Sequence, residues 1–289
     1  LVSSSAASDV YKRQRESLHN MKVLPWGEPE SLEILKSMAK ELAGVLVEPV
    51  QSRLPEFHDQ VYLQEIRKIT EEQGVALILD EVVTGFRVAP GGIRERFDVD
   101  ADIATYGKVV GGGHPIGIIG GKKKYLDALD GGYWEYGDDS IPECGVTFFA
   151  GTFVRHPIAL AAAKAVLEKI KQEGAGLYHE LDRRTEAMAS EAKRFIQDLK
   201  CEAKFEEFSS FFYVATPAES HWGYLLFTLM VLEGIHIQQY RPNFITTEHN
   251  ENDINNILDT FKRSLVQMIS IGLIEGDMVA AKKLSLIHI

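Results

Sequence analysis

Basic residues are in short supply: 31 Lys and Arg stand against 42 Asp and Glu, a formal charge of −11. A chain so acidic lacks the basic face that nucleic-acid phosphates require. Its one basic run, Lys122-Lys123-Lys124, fits the solvated start of a helix. Cysteine is scarce too. Cys144 and Cys201 cannot build a disulfide framework, and they suit a reducing, cytoplasmic compartment. The histidines do not fall at metal-ligand spacing, so no metal is expected. No apolar run reaches the ~18 residues of a membrane span. Internal repeats are missing. So is a GxxxxGK[ST] loop, which a P-loop nucleotide site needs for its phosphates.

The ends also lack something. The chain opens on Leu1, and 1-LVSSSAASDVYKRQ-14 has no apolar stretch of the kind a secretory signal carries. We expect residues 1–14 and the tail 284-LSLIHI-289 to be foreign to the fold, of adapter origin, and the chain to be a fragment of a longer protein.

What is present is a core-forming sequence, 45% apolar, long enough for one or two domains. Helical spacing covers 28–42. The run 44-GVLVEPV-50 reads as a buried strand closed by Pro49. In 60–74, Tyr62, Leu63, Ile66 and Ile69 share one helix face, and Gly74 ends the helix. Strands follow at 75–80, 102–107 and 116–120, with a Gly-rich turn and a short helix after residue 90. Strands that do not alternate, separated by helices, imply an α/β domain with a mostly parallel sheet covered on both faces. Beyond residue 151 the pattern changes. Helices are predicted at 156–174 and at 176–199, the second with Leu181, Met188, Ala192, Phe195 and Leu199 in register. Short strands are predicted at 211–215 and 235–240. A last helix starts at Asn250, with Asp253 completing a capping box and Ile254, Ile257, Leu258, Phe261, Leu265 and Met268 on its apolar face. We place a boundary near residue 174: 15–174 is a slice of a large α/β domain, and 175–283 a small α+β domain.

The chemistry starts at 76-ALILDEVVTGFR-87, where a buried strand ends on Asp80-Glu81. Such an acid pair fits the magnesium strand of a P-loop ATPase, and it equally fits a partner for an organic cation. Lys108 bears on the choice. It ends the following strand and precedes Val109, Val110 and three glycines. An amine beside apolar side chains and bare backbone is poorly solvated, and desolvation turns it into a nucleophile toward aldehydes. A carboxylate and a lysine on nearby strand ends suggest pyridoxal phosphate: the lysine meets the aldehyde, and the acid keeps the pyridine nitrogen protonated. The plainer alternatives are an exposed strand-end lysine and a turn-capping aspartate.

Four segments, 47-VEPVQ-51, 80-DEVVTGFR-87, 106-YGKVVGGGHPIG-117 and 150-AGTFVRHPIALAAA-163, together resemble the class III aminotransferases of PLP fold type I, over roughly residues 20–275. DEVxTGFR and GKxxGGGxPIG are shared with the glutamate-1-semialdehyde aminomutase branch. The segments 48-EPVQSR-53, 106-YGKVVGGG-113, 137-GDDSIP-142, 234-GIHI-237 and 241-RPNFITTEH-249 are similar to the aminotransferase domains of polyketide and nonribosomal peptide synthetases. The resemblance implies a partial fold type I large domain followed by a small C-terminal domain. It implies a pyridoxal 5'-phosphate enzyme that moves an amino group from an amino-acid donor, glutamate or glutamine, to a keto acceptor. In the synthetase-like branch that acceptor is a carrier-protein-bound β-ketoacyl thioester. The alternative is glutamate-1-semialdehyde 2,1-aminomutase of tetrapyrrole synthesis.

The same resemblance assigns residues. Lys108 would be the Schiff-base lysine and proton shuttle. Asp80 would pair with the pyridine nitrogen, and Val82 would pack on the ring or simply in the core. Thr152 would reach the cofactor phosphate of a neighbouring subunit, implying a homodimer with shared active sites, or else cap the helix at Pro157. Arg241 would grip the donor carboxylate, against a plain surface role. Arg53 stands where the aminobutyrate and ornithine branch carries an acid that pairs with the strand arginine, so that acidic switch is absent. Gly111–Gly113 would serve close backbone approach. His114, in place of an apolar or aromatic residue, is expected to be packed. The family's phosphate-cup loop and ring-stacking aromatic find no match in residues 15–45, so the fragment alone is expected to bind the cofactor poorly and to be inactive.

Overall fold

The computed structural model describes residues 20–132, 134–142, 151–152, 154–217 and 221–287. The 1–14 tail, Cys144, Ala150 and residues 288–289 lie outside the described residues. The chain falls into two compact units. The first takes the described residues up to Gln51, then His58–Gly85 and Gly91–Leu167. The second takes Ser52–Phe57, Phe86–Pro90 and the described residues from Glu168 onward.

The first unit is built on a four-stranded sheet, β1 (Gly44–Val47), β2 (Ala76–Asp80), β3 (Ile103–Tyr106) and β4 (Ile118–Gly121), in that spatial order. The first three strands are parallel, with Val47 level with Leu79 and Asp80 level with Thr105; β4 runs antiparallel to β3. The mostly parallel α/β sheet is therefore present. Coverage of both faces holds best at the centre, where Leu77 and Leu79 of β2 are fully buried. It fails at the edge strands: Leu46 of β1 is 68% exposed and Ile119 of β4 62%. Nothing among the described residues covers those two side chains.

Helix α1 spans Pro29–Met38, with proline in its first turn, where no N–H is needed. Helix α2 (Gln60–Gln73) forms as its sequence predicts. Asp59 accepts from the Tyr62 N–H at 2.9 Å, Gly74 stops the helix with φ 70°, and Tyr62, Leu63, Ile66 and Ile69 are buried. A cap of this kind stabilises by about 1 kcal/mol. The α2 side of the sheet is also held by a buried carboxylate. Asp102 accepts from the Leu77 N–H at 2.9 Å and from Arg67 Nη1 at 2.7 Å, and it pairs with Lys122 at 3.2 Å. Lys122 is thus half-buried and paired, and only Lys123 and Lys124 of the basic run are the solvated helix start that was predicted. That start is α4 (Lys123–Leu126), which follows the short α3 (Gly92–Arg96).

Helix α5 (Pro157–Glu173) leads from the first unit into the second, where Gly174, at φ 64°, precedes α6 (Ala175–Asp198). The second unit packs α6, α7 (Leu225–Leu232) and α8 (Glu251–Ser270) with a three-stranded antiparallel sheet, β5 (Lys204–Phe208), β6 (Phe211–Ala215) and β7 (Asn243–Phe244). Phe205 lies at its centre, stacked on Phe212 at 5.1 Å and edge-on to Phe261 at 5.3 Å. The capping box of α8 is complete. Asn250 accepts from Asn252 and Asp253 N–H, and Asp253 accepts from the Asn250 N–H at 2.9 Å. All six apolar residues expected on its face are buried. One expected strand, 235–240, does not form. Tyr240 turns to φ 54°, Pro242 offers no N–H, and the Gln238 N–H bonds to the Asn243 side chain at 3.1 Å instead of to a neighbouring strand. Helix α9 (Met278–Ile287) takes in residues 284–287 of the expected foreign tail.

The Asp102 cluster generates a stability prediction. Burial pushes this carboxyl up, but the Leu77 N–H, Arg67 and Lys122 outweigh it and hold the group below the usual carboxylate range. A depressed folded value means that the contribution is fully present above the unfolded value and is lost as pH falls through the folded one. Asp102→Asn should cost about 3 kcal/mol at neutral pH, because it leaves Arg67 without its buried partner. The deficit should shrink in strong acid. Urea melts at pH 7 and below pH 4 check both parts.

Candidate active site

The parallel register places the ends of β2 and β3 side by side. Asp80 closes β2 opposite Thr105, and Lys108 follows β3 by two residues, so carboxylate and amine emerge at the same C-terminal edge of adjacent strands. Ligand sites of open α/β sheets lie at that edge. The Asp80 carboxylate is half-tethered. Oδ1 accepts from the Val82 N–H at 3.1 Å and from Thr105 Oγ1 at 3.3 Å. Oδ2 makes no hydrogen bond among the described residues. One oxygen is thus fixed and the other offered, as a partner for a protonated ring nitrogen must be.

Glu81 has a different fate. It is fully buried; its Oε2 accepts from the Ile93 N–H at 2.6 Å and from Thr84 Oγ1 at 3.1 Å, and Oε1 accepts from the Arg94 N–H at 3.3 Å. Burial raises this carboxyl, and the hydrogen bonds from Ile93, Arg94 and Thr84 oppose that rise. Glu81 therefore caps α3. Both its oxygens are engaged, so the magnesium-strand reading loses one of its two acids. Gly92 makes the cap possible: at φ 70°, a Cβ there would sit 2.1 Å from Glu81 Oε2.

Lys108 sits in the left-handed region, at φ 52°, opening the 3₁₀ turn Lys108–Gly111. A non-glycine residue in that region is strained by about 1–3 kcal/mol, a feature concentrated at functional sites. The turn sends Val110 into the core and leaves Lys108 exposed. The expectation of a poorly solvated lysine is therefore not met: Lys108 is exposed, while Val110 two residues on is buried. Val82 lies beside this turn, since a Cβ added at Gly107 would meet Val82 Cγ1 at 3.5 Å and the Ile116 carbonyl oxygen at 3.2 Å. Gly107 thus lets the Ile116 carbonyl and Val82 approach the backbone closely, just before Lys108. Asp80, Val82, Gly107 and Lys108 thus lie along the ends of two adjacent parallel strands.

The remaining sequence-predicted residues divide. Thr152, in the first unit, is exposed in a turn; α5 begins only at Pro157, so Thr152 lies too far upstream to cap it. His114 is exposed, not packed. Gly112 at φ 56° and Gly113 at φ 90° turn the chain outward just before it. Arg53 and Arg241 belong to the second unit. Arg53 is half-buried and shares the surroundings of the Tyr213 phenol, which burial pushes up, as do Tyr240 and Glu56, while Arg53 draws it down. Arg241 is exposed just ahead of β7. Sequence reasoning passed over two residues of this unit. Glu56 supplies an acid three positions after Arg53, and its buried Oε2 has no hydrogen-bond partner among the described residues. Arg87 ends the DEVVTGFR motif with its guanidinium 3.9 Å from the centre of the Phe244 ring. The motif itself marked Arg87; nothing local marked Phe244.

The Gly92 geometry can be tested against Gly27, which has φ 80° but nothing within 4 Å of an added Cβ. Gly27→Ala carries only the backbone strain, about 1 kcal/mol. Gly92→Ala adds a collision with a buried carboxylate and should cost about 2–3 kcal/mol more in urea melts.

The comparisons with known proteins follow the same lines. A glutamate-1-semialdehyde 2,1-aminomutase of Methanosarcina acetivorans is 33% identical over 256 residues, covering 83% of this chain and 57% of that protein. The enzyme of the same name from Nitrosopumilus maritimus is 31% identical, covering 85% of this chain and 59% of its own length. A solved transaminase with PLP bound superposes with a TM-score of 0.74 at 25% identity, over 86% of this chain and 58% of that one. The chain thus spans under two thirds of the length of the relatives it matches. The family model for aminotransferase class-III matches residues 10–207, and the chain belongs to the class-III aminotransferase family.

Proposed function

We propose that the protein to which this chain belongs is a pyridoxal 5'-phosphate-dependent aminotransferase, passing an amino group from an amino-acid donor to a keto acceptor. The observation that supports the reading is that Asp80 ends β2, level with Thr105 of its parallel neighbour β3, and that Lys108 follows the end of β3. Bound pyridoxal phosphate supplies an aldehyde and a ring that withdraws electrons from the donor's α-carbon. The protein's own groups do the rest. Asp80 Oδ2 keeps a proton on the ring nitrogen, and its Oδ1 bonds to the Val82 N–H and to Thr105 hold it in place for that. Lys108 Nζ would be the group that meets the aldehyde, and the base that takes the proton from the donor's α-carbon. Val82 is the apolar wall.

Thr152, exposed and released from a capping role, is the candidate to reach the phosphate in a second copy of the chain, which makes the enzyme a homodimer with shared sites. Arg241 and Arg53 are the candidates for the donor's carboxylates, because a guanidinium grips a carboxylate through two parallel bonds. The donor is then glutamate or glutamine, and the acceptor a keto compound, carrier-protein-bound if the synthetase-like motifs lead. A cytoplasmic setting rests on the sparse cysteines. A second reading, glutamate-1-semialdehyde 2,1-aminomutase, is favoured by relatives of that name at 31–33% identity. Isomerisation of glutamate-1-semialdehyde without an external donor separates the two.

Lys108→Ala in the holoenzyme should remove the cofactor's visible absorbance band and lower transamination by about 10²–10⁴-fold. Asp80→Asn should leave the lysine's linkage in place, yet slow turnover, because a neutral amide cannot hold the ring cation. Unchanged rates in Lys108→Ala would sink the reading.

A further inference from the structure

We infer that Arg87 is a positioning residue for donor binding: by stacking on Phe244 it holds β7 and the 238–242 loop that presents Arg241. The inference rests on the reading of Arg241 as the donor's carboxylate ligand. Every residue in it belongs to the second unit.

The loop's flanks are anchored by buried Ile237 and Ile245, by the Ile245 N–H donating to the Ser210 carbonyl at 2.8 Å, and by the Tyr240 ring 6.3 Å from Phe227. Strand β7 is two residues long, paired to β6 through Phe244 opposite Phe211 and Asn243 opposite Phe212. The Asn243 side chain closes the loop on itself. Its Oδ1 accepts from the Gln238 N–H at 3.1 Å, and its Nδ2 donates to the Arg241 carbonyl at 3.1 Å. The backbone of Arg241 is therefore set by Asn243, and Asn243 by the strand whose other residue is Phe244. A two-residue strand has too few ladder bonds to be rigid by itself, and Tyr240, at φ 54°, adds strain on the loop side. The Phe244 side chain itself is held by Phe211 at 6.2 Å and by the Arg87 guanidinium at 3.9 Å from the ring centre.

Arg87 is itself well anchored. The Tyr178 hydroxyl donates to the Phe86 carbonyl at 3.2 Å, and Val88 and Ala89, which follow Arg87, are buried. Burial draws the Arg87 guanidinium down to about 10, which leaves it cationic at neutral pH. A desolvated cation over an aromatic face is the strong form of the cation–π contact. Its planarity matters too, since a guanidinium stacks flat where an ammonium touches at a point.

The test uses the holoenzyme and glutarate, a dicarboxylate that has no amine to react, with its Kd read by calorimetry beside the KM and kcat for glutamate. Arg241→Ala is the direct variant, and it should weaken glutarate by at least about tenfold. Arg87→Gln should weaken it by about tenfold as well, raise the glutamate KM, and leave kcat and the visible absorbance of the cofactor within about twofold. Arg87→Lys should recover part of the affinity. Phe244→Leu, which removes the stack from its other side, should reproduce the loss, and the Arg87→Gln/Phe244→Leu pair should be no weaker than either alone. If Arg87→Gln does not fold, Arg87→Lys and Phe244→Leu carry the test by themselves. Glutarate affinity lost in Arg241→Ala but kept in the Arg87 and Phe244 variants overturns this inference and leaves the donor reading standing. Affinity kept in Arg241→Ala overturns the donor reading, and the inference with it.

Discussion

The register of β2 against β3 is the constraint on which the candidate site depends. With Asp80 opposite Thr105, the two strands finish level, and the next few residues of each must share one edge of the sheet. A shift by one residue would turn the carboxylate to the other face. The register is secured from the opposite end. There Asp102, fixed by Arg67 and Lys122, receives the Leu77 N–H and so ties the start of β3 to the body of β2. A structural carboxylate at the base of the strands thus sets the position of a chemical one at their tips.

Adjacent acids in one motif show how environment divides labour. Asp80 keeps an oxygen available because the Val82 N–H and Thr105 engage only the other. Glu81, one residue on, points into the protein and spends both oxygens on the start of a five-residue helix too short to hold itself. The glycines around them answer to the same geometry. Gly85 has Tyr106 Cδ1 2.4 Å from where a Cβ would be, and Gly92 has Glu81 itself. The motif DEVVTGFR is therefore one surface-forming acid, one buried cap, a glycine that admits a neighbouring ring, and an arginine that serves the second unit.

In that second unit, charge and aromatic rings occur together. Arg53, Glu56, Tyr213 and Tyr240 share one electrostatic neighbourhood, and Arg87 lies over Phe244. Glu56 bears on the expectation that the acidic switch at position 53 is absent: that position is basic, but an acid stands three residues later, its buried Oε2 without a hydrogen-bond partner among the described residues.

Much of the fold was legible in the sequence where one element carries its own signal. Helix α2 announced its stop at Gly74 and helix α8 its cap at Asn250, and the apolar residues read on their faces are buried, because helix periodicity and capping are local physics. Strand β2 and its end at Asp80 were readable because buried parallel strands are uniformly apolar and end on polar chemistry. Other features were not legible. Helix α7, LLFTLMVL, is apolar all round and has no period to read, and 235–240 looks like a strand until Tyr240 takes a positive φ. The exposure of Lys108 and of His114 follows from left-handed turns at Lys108, Gly112 and Gly113, which composition suggests but does not orient. Only the folded chain decided that Glu81 caps while Asp80 faces outward, and that Arg87 meets Phe244. These depend on backbone directions and on contacts between residues far apart in sequence, which no short stretch of sequence encodes.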